Sequence, residues 1–328
     1  MCCIISNDFY KSISPFVQDV RTDVLGNIIA RREGKGKRIM LIAHQDVVRL
    51  MVTHIDNNGF LYVKPSGGID VSIMPAQKVL IRHDDKSIIG IVGRKPIHLQ
   101  REDTTKPSWD NIWVDIGAKS KKEALSMVEL GDYVYFDSPK EEMPNNLISG
   151  AYLDNRVGLS VIAQVAERIS KENIPLDIYF VASNFEEIGW RGAITAASSV
   201  KPDYCICVDV THATDFPNMN VIQDGDIQLN AGCVLAKGPY IDEGMFAKLK
   251  QTAVDNAILH QIQPIPYSTS TEMDLVQIIN NGVRCALVSI PCRYMHTPQE
   301  MVSTKDIKSA VELIANYLRI YKNEYPIS

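Results

Sequence analysis

The stretch "LDIYFVASNFEE" (176–187) joins an apolar segment to a pair of acids. Its first ten residues are mostly apolar and rich in β-branched and aromatic side chains, which is typical of a buried strand. Glu186 and Glu187 then follow together, before a turn that contains Gly189 and Gly192. Adjacent carboxylates are usual on solvated loops and unusual at the end of a core strand. Their role therefore depends on how the other strands of the chain end.

Three more segments have the composition of buried strands: "RIMLIAH" (38–44), "YCICVDV" (204–210) and "RCALVSIP" (284–291). Continuous apolar runs indicate strands covered on both faces, as in parallel sheets. Val157, Val161 and Val165 recur every four residues and predict a helix after Asp154, and weaker periods run through 245–260 and 304–321. Together these segments predict an α/β fold with a doubly wound, mostly parallel sheet.

The region 68–149 has a different pattern. It contains short strand-like pieces ("KVLIRH", "SIIGIVG", "NIWVDIG", "DYVYFD") and one short helical segment, "SKKEALSMV". Several short strands with little helix predict a small β-barrel-like domain. We therefore expect an inserted domain over 68–149, which divides the α/β domain into 1–67 and 150–328.

The composition limits the class of protein. A chain of 328 residues with 45% hydrophobic and 22% charged residues is typical of a globular protein with a large core. A net charge of −5 without a long basic run argues against nucleic acid or an anionic membrane as a partner. The chain has no apolar run of the ~18 residues that a membrane span needs, and the first residues do not resemble a signal peptide. Seven cysteines without a C-x-x-C pair predict a cytoplasmic protein in which Cys205 and Cys207 are buried as small hydrophobes.

Each predicted strand ends in an acid or a histidine. The set consists of His44 and Asp46, Glu186 and Glu187, Asp209, and His296, and Asp154 opens the first long helix. The carboxyl ends of parallel strands meet at one edge of the sheet, and open α/β sheets bind ligands at that edge. We therefore expect these side chains to converge.

Convergence of so many acids and imidazoles requires a cation, because the carboxylates would otherwise repel and desolvate one another. Imidazole and carboxylate ligands without thiolates suit zinc, cobalt or manganese. Even five of these seven side chains would be too many ligands for one tetrahedral zinc with an open position. Five ligands suit two metals ~3.5–4 Å apart that share a carboxylate. The sequence therefore predicts two divalent metal ions, zinc first, with cobalt or manganese as alternatives.

The motifs around these residues resemble those of a known family. They are "AHQDVV", "ISGAYLDNRVG", "EEIGWRGA", "VDVTHATD" and "SIPCRYMHTPQEMVS". Over nearly its whole length the chain resembles the tetrahedral, co-catalytic zinc aminopeptidases, which include glutamyl and deblocking aminopeptidases. The resemblance implies a metal-dependent aminopeptidase that removes N-terminal residues from short peptides.

The resemblance also implies the roles of the metal ligands. His44 and Asp209 would hold one metal, Glu187 and His296 would hold the other, and Asp154 would bridge them.

Glu186 would be the general base that takes a proton from the attacking water and later protonates the leaving amine. Asp46 would orient the imidazole of His44. The inserted domain would serve dimerisation, and family members commonly build twelve-subunit tetrahedra from dimers.

The sequence departs from the family at several points. Val47 and Arg49 stand where an acid and a glycine are usual, and the usual first helix is expected to be missing. Thr271 and Glu272 in "TSTEMD" replace part of a glycine-rich loop near the substrate pocket, so they are candidate substrate-binding residues. The preferred N-terminal residue therefore stays open. Two alternatives also stay open: a related two-metal deacylase or carboxypeptidase, and an assembly or peptide-binding protein that has lost catalysis.

Overall fold

The computed structural model describes residues 2–100 and 106–324. The helices in these ranges are α1 (Cys2–Ile13), α2 (Lys121–Ala124), α3 (Leu153–Ile169), α4 (Arg191–Val200), α5 (Val221–Asp224), α6 (Glu243–Asp255), α7 (Met273–Val276) and α8 (Thr304–Glu324). The strands are β1 (Asp19–Thr22), β2 (Ile28–Arg32), β3 (Arg38–His44), β4 (Arg49–Ile55), β5 (Leu61–Ser66), β6 (Lys78–His83), β7 (Lys86–Arg94), β8 (Ile112–Asp115), β9 (Tyr133–Phe136), β10 (Glu141–Met143), β11 (Leu147–Gly150), β12 (Asp177–Ser183), β13 (Tyr204–His212), β14 (Cys233–Lys237), β15 (His260–Pro264), β16 (Arg284–Arg293) and β17 (Glu300–Ser303).

Four parallel strands form the centre of the large sheet. They lie in the order β12, β3, β13, β16, and each neighbouring pair is parallel. All residues of β12 are buried, as are all residues of β3 except Arg38. The four strands predicted from continuous apolar runs are therefore confirmed, and Cys205 and Cys207 are fully buried in β13.

Helices cover both faces of these strands. α3 and α8 pack on each other and on β3, β13 and β16, whereas α4 and α7 pack on each other and on β12 and β13. Val157, Val161 and Val165 are buried along α3 and hold this helix to the sheet. The predicted α/β class is confirmed.

Further strands extend the sheet on both sides. β2 and β1 continue it antiparallel beyond β12, and β17, β11 and β10 continue it beyond β16. β14 pairs with β16, and β15 with β14, which gives eleven strands among the described residues.

Beside the sheet lies a closed barrel of six strands in the order β4-β5-β8-β7-β6-β9. The barrel runs from Arg49 to Phe136 instead of the predicted 68–149. β4 and β5 belong to it because β4 pairs with β9, whereas β10 and β11 lie outside it because β11 pairs with β17 in the large sheet. Short strands have the same local pattern in either setting, so these bounds depend on pairing between distant residues.

The N-terminal region contains a helix that was expected to be missing. α1 spans Cys2–Ile13, and its residues Phe9 and Ile13 are buried, with α3 as the helix it contacts most. No helix in the described part of the chain is long and apolar enough to cross a membrane.

Candidate active site

The predicted site residues meet at the carboxyl ends of the four parallel strands. His44 is the last residue of β3, Asp209 lies within β13, and His296 follows β16 closely. Glu186 and Glu187 follow β12, whose last residue is paired in register with His44. Asp154 reaches the same place from the start of α3.

Asp154 lies between the two histidines. His44 Nε2 is 3.1 Å from Asp154 Oδ1 and 3.6 Å from Asp209 Oδ1. On the other side, His296 Nε2 is 3.3 Å from Asp154 Oδ2 and 3.4 Å from Glu187 Oε2. The two oxygens of one carboxylate therefore face two different imidazoles.

Burial and crowding shift the protonation of the site. Burial, together with the neighbouring carboxylates, raises the pKa of Glu186 to about 7 and that of Glu187 to about 8. Burial lowers the pKa of His296, but Asp154 and Glu187 raise it more, to about 9. Burial raises the pKa of Asp154, but the two histidines, His296 first, lower it more, so it lies well below its usual range. Without a metal, the site therefore shares protons between imidazoles and acids, and metal binding would displace them.

Two carboxylate oxygens at the centre are buried without hydrogen bonds from the described residues: Asp154 Oδ1 and Glu187 Oε1. Although His44 Nε2 lies 3.1 Å from Asp154 Oδ1, the two atoms do not form a hydrogen bond of normal direction. A buried polar atom without a partner is costly unless an ion satisfies it. Donor atoms of His44, Asp154 and Glu187 all lie within 4.8 Å of one another, as do those of His44, Glu186 and Asp209. The residues therefore fit divalent cations.

Comparison with known proteins identifies the family. Residues 26–313 match the family described as M42 glutamyl aminopeptidase. The chain belongs to the M42 peptidase family. The lysyl aminopeptidase of Pyrococcus furiosus is 36% identical over 312 residues, covering 93% of this chain and 87% of the relative.

Solved structures agree with this assignment. Aminopeptidase APDkam598 from the archaeon Desulfurococcus kamchatkensis has a TM-score of 0.91 at 29% identity, covering 97% of this chain and 89% of its own. The Pyrococcus horikoshii TET1 peptidase, which can assemble into a tetrahedron or a large octahedral shell, has a TM-score of 0.83 at 26% identity, covering 94% of this chain and 92% of its own. This M42 chain is therefore a peptide hydrolase of the aminopeptidase type, and the resemblance read from its motifs is confirmed.

In the M42 site, Asp46 accepts hydrogen bonds through both its backbone carbonyl and its side-chain carboxylate. Its backbone carbonyl accepts a hydrogen bond from His44 Nδ1 at 3.0 Å, which puts the proton on Nδ1 and leaves Nε2 free to bind a metal. Its carboxylate was expected to orient the imidazole, but Oδ1 is 3.8 Å from Nδ1. The carboxylate instead accepts the backbone N–H groups of Glu186 (2.9 Å) and Glu187 (3.2 Å). Asp46 thus holds both the imidazole and the acidic pair.

Glu300 is a buried residue that the sequence reasoning missed. Its Oε1 accepts the backbone N–H of His296 at 2.8 Å, and its Oε2 accepts that of Asp154 at 3.0 Å. Burial and the charge of Asp154 raise the pKa of Glu300 to about 8. One carboxylate therefore joins the backbones of two residues that face each other across the site. The only sequence signal was its position four residues after His296 in "HTPQE".

The side chains of Thr271 and Glu272 lie in different surroundings. Thr271 lines a cavity of about 720 Å³ that opens over the acids and histidines. Glu272 is fully buried, accepts a hydrogen bond from Ser183 Oγ, and is not part of the cavity wall formed by the described residues. Burial raises the pKa of Glu272 to about 8. Of the two candidate substrate-binding residues, only Thr271 is placed to contact a molecule in the cavity.

The departures at Val47 and Arg49 lie away from the cavity. Val47 is buried in the core, and the Arg49 guanidinium stacks over the Tyr133 ring at 3.7 Å. Neither is among the described residues that line the cavity. These two departures from the family therefore leave the described wall of the cavity unchanged.

Strained backbone surrounds the site. Among the residues that the structure describes, five with ring-bearing side chains have positive φ: Tyr152 (66°), Phe185 (63°), Trp190 (57°), Tyr294 (60°) and His296 (62°). Each is a site residue or lies within four residues of one. Bulky side chains rarely adopt this conformation, which costs on the order of 1–3 kcal/mol and persists where the surrounding structure holds it. The packing around these turns therefore holds the backbone that carries the site.

Proposed function

We propose that this M42 peptidase removes N-terminal residues from short peptides with two divalent metal ions, zinc first, and with Glu186 as the general base. The observation that carries the proposal is the central position of Asp154, whose two oxygens face His44 and His296 separately. A carboxylate in this position suits a bridge between two cations.

The distances support a division of the ligands into two groups. His44 and Asp209 belong to the first group, with 3.6 Å between Nε2 and Oδ1. Glu187 and His296 belong to the second, with 3.4 Å between Oε2 and Nε2. Asp154 is shared by both groups, and the unpartnered oxygens of Asp154 and Glu187 are available to the cations.

In the proposed reaction, Glu186 moves the proton. When bound, the two cations supply a lower pKa for the attacking water and polarise the scissile carbonyl. Glu186 accepts a proton as the water oxygen bonds to the carbonyl carbon. It returns that proton to the amide nitrogen as the bond between carbon and nitrogen breaks. Burial raises the pKa of this carboxyl group, which favours the return of the proton to the leaving nitrogen.

The test compares the hydrolysis of aminoacyl p-nitroanilides with the hydrolysis of N-acetyl amino acids, across several side chains and with zinc, cobalt or manganese. An aminopeptidase cleaves only substrates with a free amine, and EDTA should abolish turnover until metal is returned. Faster hydrolysis of the N-acetyl amino acids than of the p-nitroanilides would favour the deacylase alternative. Full turnover in a sample verified to be metal-free would contradict the two-metal proposal.

We also propose that the chain forms homo-oligomers in the cytoplasm. Self-association through the barrel is supported by Ile89 and Ile91, which are 56% and 47% exposed on the outer face of β7. The tetrahedral and octahedral assemblies of the Pyrococcus horikoshii TET1 peptidase support an oligomer for this chain as well. A reducing compartment is supported by five cysteines that are buried and form no disulfide: Cys205, Cys207, Cys233, Cys285 and Cys292.

A further inference from the structure

The indole of Trp190 contacts the proposed general base. Trp190 Nε1 donates a hydrogen bond to Glu186 Oε1 at 2.6 Å. No other side chain in the described part of the protein donates a hydrogen bond to this carboxylate. We propose that Trp190 is a positioning residue that holds Glu186 for proton transfer, an inference that rests on the proposed function.

The local backbone supports this role. The N–H groups of Gly189 and Trp190 both donate to the carbonyl of Glu186, at 3.1 and 3.3 Å, and the resulting turn brings the indole back over the carboxylate. Trp190 has φ 57° and ψ 21°, a left-handed conformation that glycine or asparagine adopts more easily. A bulky residue in this strained position needs a compensating contact. The hydrogen bond to Glu186 is such a contact.

The hydrogen bond from Trp190 gives the two oxygens of the Glu186 carboxylate different surroundings. With Oε1 held by the indole, Oε2 is the oxygen that faces the metal ligands, 3.9 Å from His44 Nε2. A free glutamate side chain has several rotamers, and holding one of them removes an ordering cost from each turnover. Trp190 and Glu186 both line the cavity, so the hydrogen bond between them lies at the cavity wall.

Two roles for Trp190 must be separated: holding Glu186, or only forming the cavity wall. Trp190→Phe removes the N–H but keeps an aromatic ring. We expect about a tenfold fall in kcat, with KM and metal content close to wild type, because a hydrogen bond to a charged group is lost. Trp113→Phe makes the same change in the barrel, where Trp113 packs on Phe60, and serves as the matched control.

A double-mutant cycle with Glu186→Ala tests whether the effect passes through Glu186. If Trp190 acts through this carboxylate, Trp190→Phe should add no further loss in the Glu186→Ala background. Equal losses in both backgrounds, or kcat of Trp190→Phe within twofold of wild type, would overturn the inference.

A spectroscopic measurement does not depend on turnover. The chain has three tryptophans, so the ultraviolet resonance Raman band of the indole N–H should show the loss of one strong hydrogen bond in metal-free Glu186→Ala. An unchanged band would also overturn the inference. A wild-type protein without peptidase activity would instead refute the proposed function, whereas an active wild type with an unaffected Trp190→Phe refutes only the role of Trp190.

Discussion

Replacing Glu300 with Gln should weaken metal binding although Glu300 is not a proposed ligand. Its two oxygens accept the backbone N–H groups of His296 at 2.8 Å and Asp154 at 3.0 Å. Gln keeps the shape but its amide nitrogen cannot accept, so one buried N–H loses its partner at a cost of ~1–3 kcal/mol. Because both backbones carry proposed ligands, we expect metal affinity to fall ~10–100-fold, or about 1.4–2.7 kcal/mol.

Asp306 offers a matched control for Glu300. It is fully buried and accepts the backbone N–H groups of Asn230 and Gly232, each at 2.8 Å, and it does not line the cavity. Asp306→Asn should therefore lower the stability of the metal-free protein as Glu300→Gln does, but leave metal affinity unchanged. Thermal unfolding in EDTA gives the stability, and competition with a fluorescent chelator gives the zinc affinity. Wild-type zinc affinity in Glu300→Gln, together with the same loss of stability as Asp306→Asn, would refute the reasoning.

Three further predictions concern the roles of the two glutamates, the pH dependence of stability and the assembly. Glu186→Gln should keep both metals while kcat falls on the order of 10²–10⁴-fold, whereas Glu187→Gln should bind fewer metal ions per chain. Metal analysis and kcat measured at one pH distinguish the two variants. Equal metal loss in both would contradict the assigned roles. The metal-free protein should become less stable as pH rises from about 5 to 9. In the folded protein the pKa of Glu187 is about 8 and that of His296 about 9, compared with 4.5 and 6.5 in the unfolded chain. The folded state therefore binds these protons more tightly and loses that stabilisation as they dissociate. Zinc should accordingly raise Tm more at pH 8 than at pH 6, and a flat Tm in EDTA would count against the proton-sharing site. Replacing both Ile89 and Ile91 with Asp should reduce the particle mass in light scattering, since charge would be buried in the proposed interface, and an unchanged mass would contradict association through the barrel.

Much of the site could be predicted because parallel strands impose a simple rule. A strand covered on both faces must be apolar throughout, so its bounds can be seen in the sequence, as β3 and β12 illustrate. The polar residue that ends such a strand lies at the shared carboxyl edge whatever the details of packing. His44, Glu186 and Asp209 could therefore be assigned to one site from the sequence alone.

The hydrogen bonds that hold the site together could not be predicted in this way. Glu300 and Asp46 hold the site by accepting N–H groups from residues distant in the chain, and Trp190 reaches Glu186 through a strained turn. Such contacts leave no periodic signal in the sequence, because an acid or a tryptophan at those positions looks the same whether or not it makes the contact.

The sequence by itself determined the α/β core, the position of acids and histidines at the carboxyl ends of its central strands, and the chemistry of the donor set. Only the tertiary structure decided that β4 and β5 close the barrel, that Glu272 turns away from the cavity toward Ser183, and that the carboxylate of Asp46 holds the acidic pair. The physical reason is the range of the interactions. Apolar periodicity and strand ends are local properties of the chain, whereas strand pairing and the direction of a buried carboxylate depend on partners that folding brings from far along the sequence.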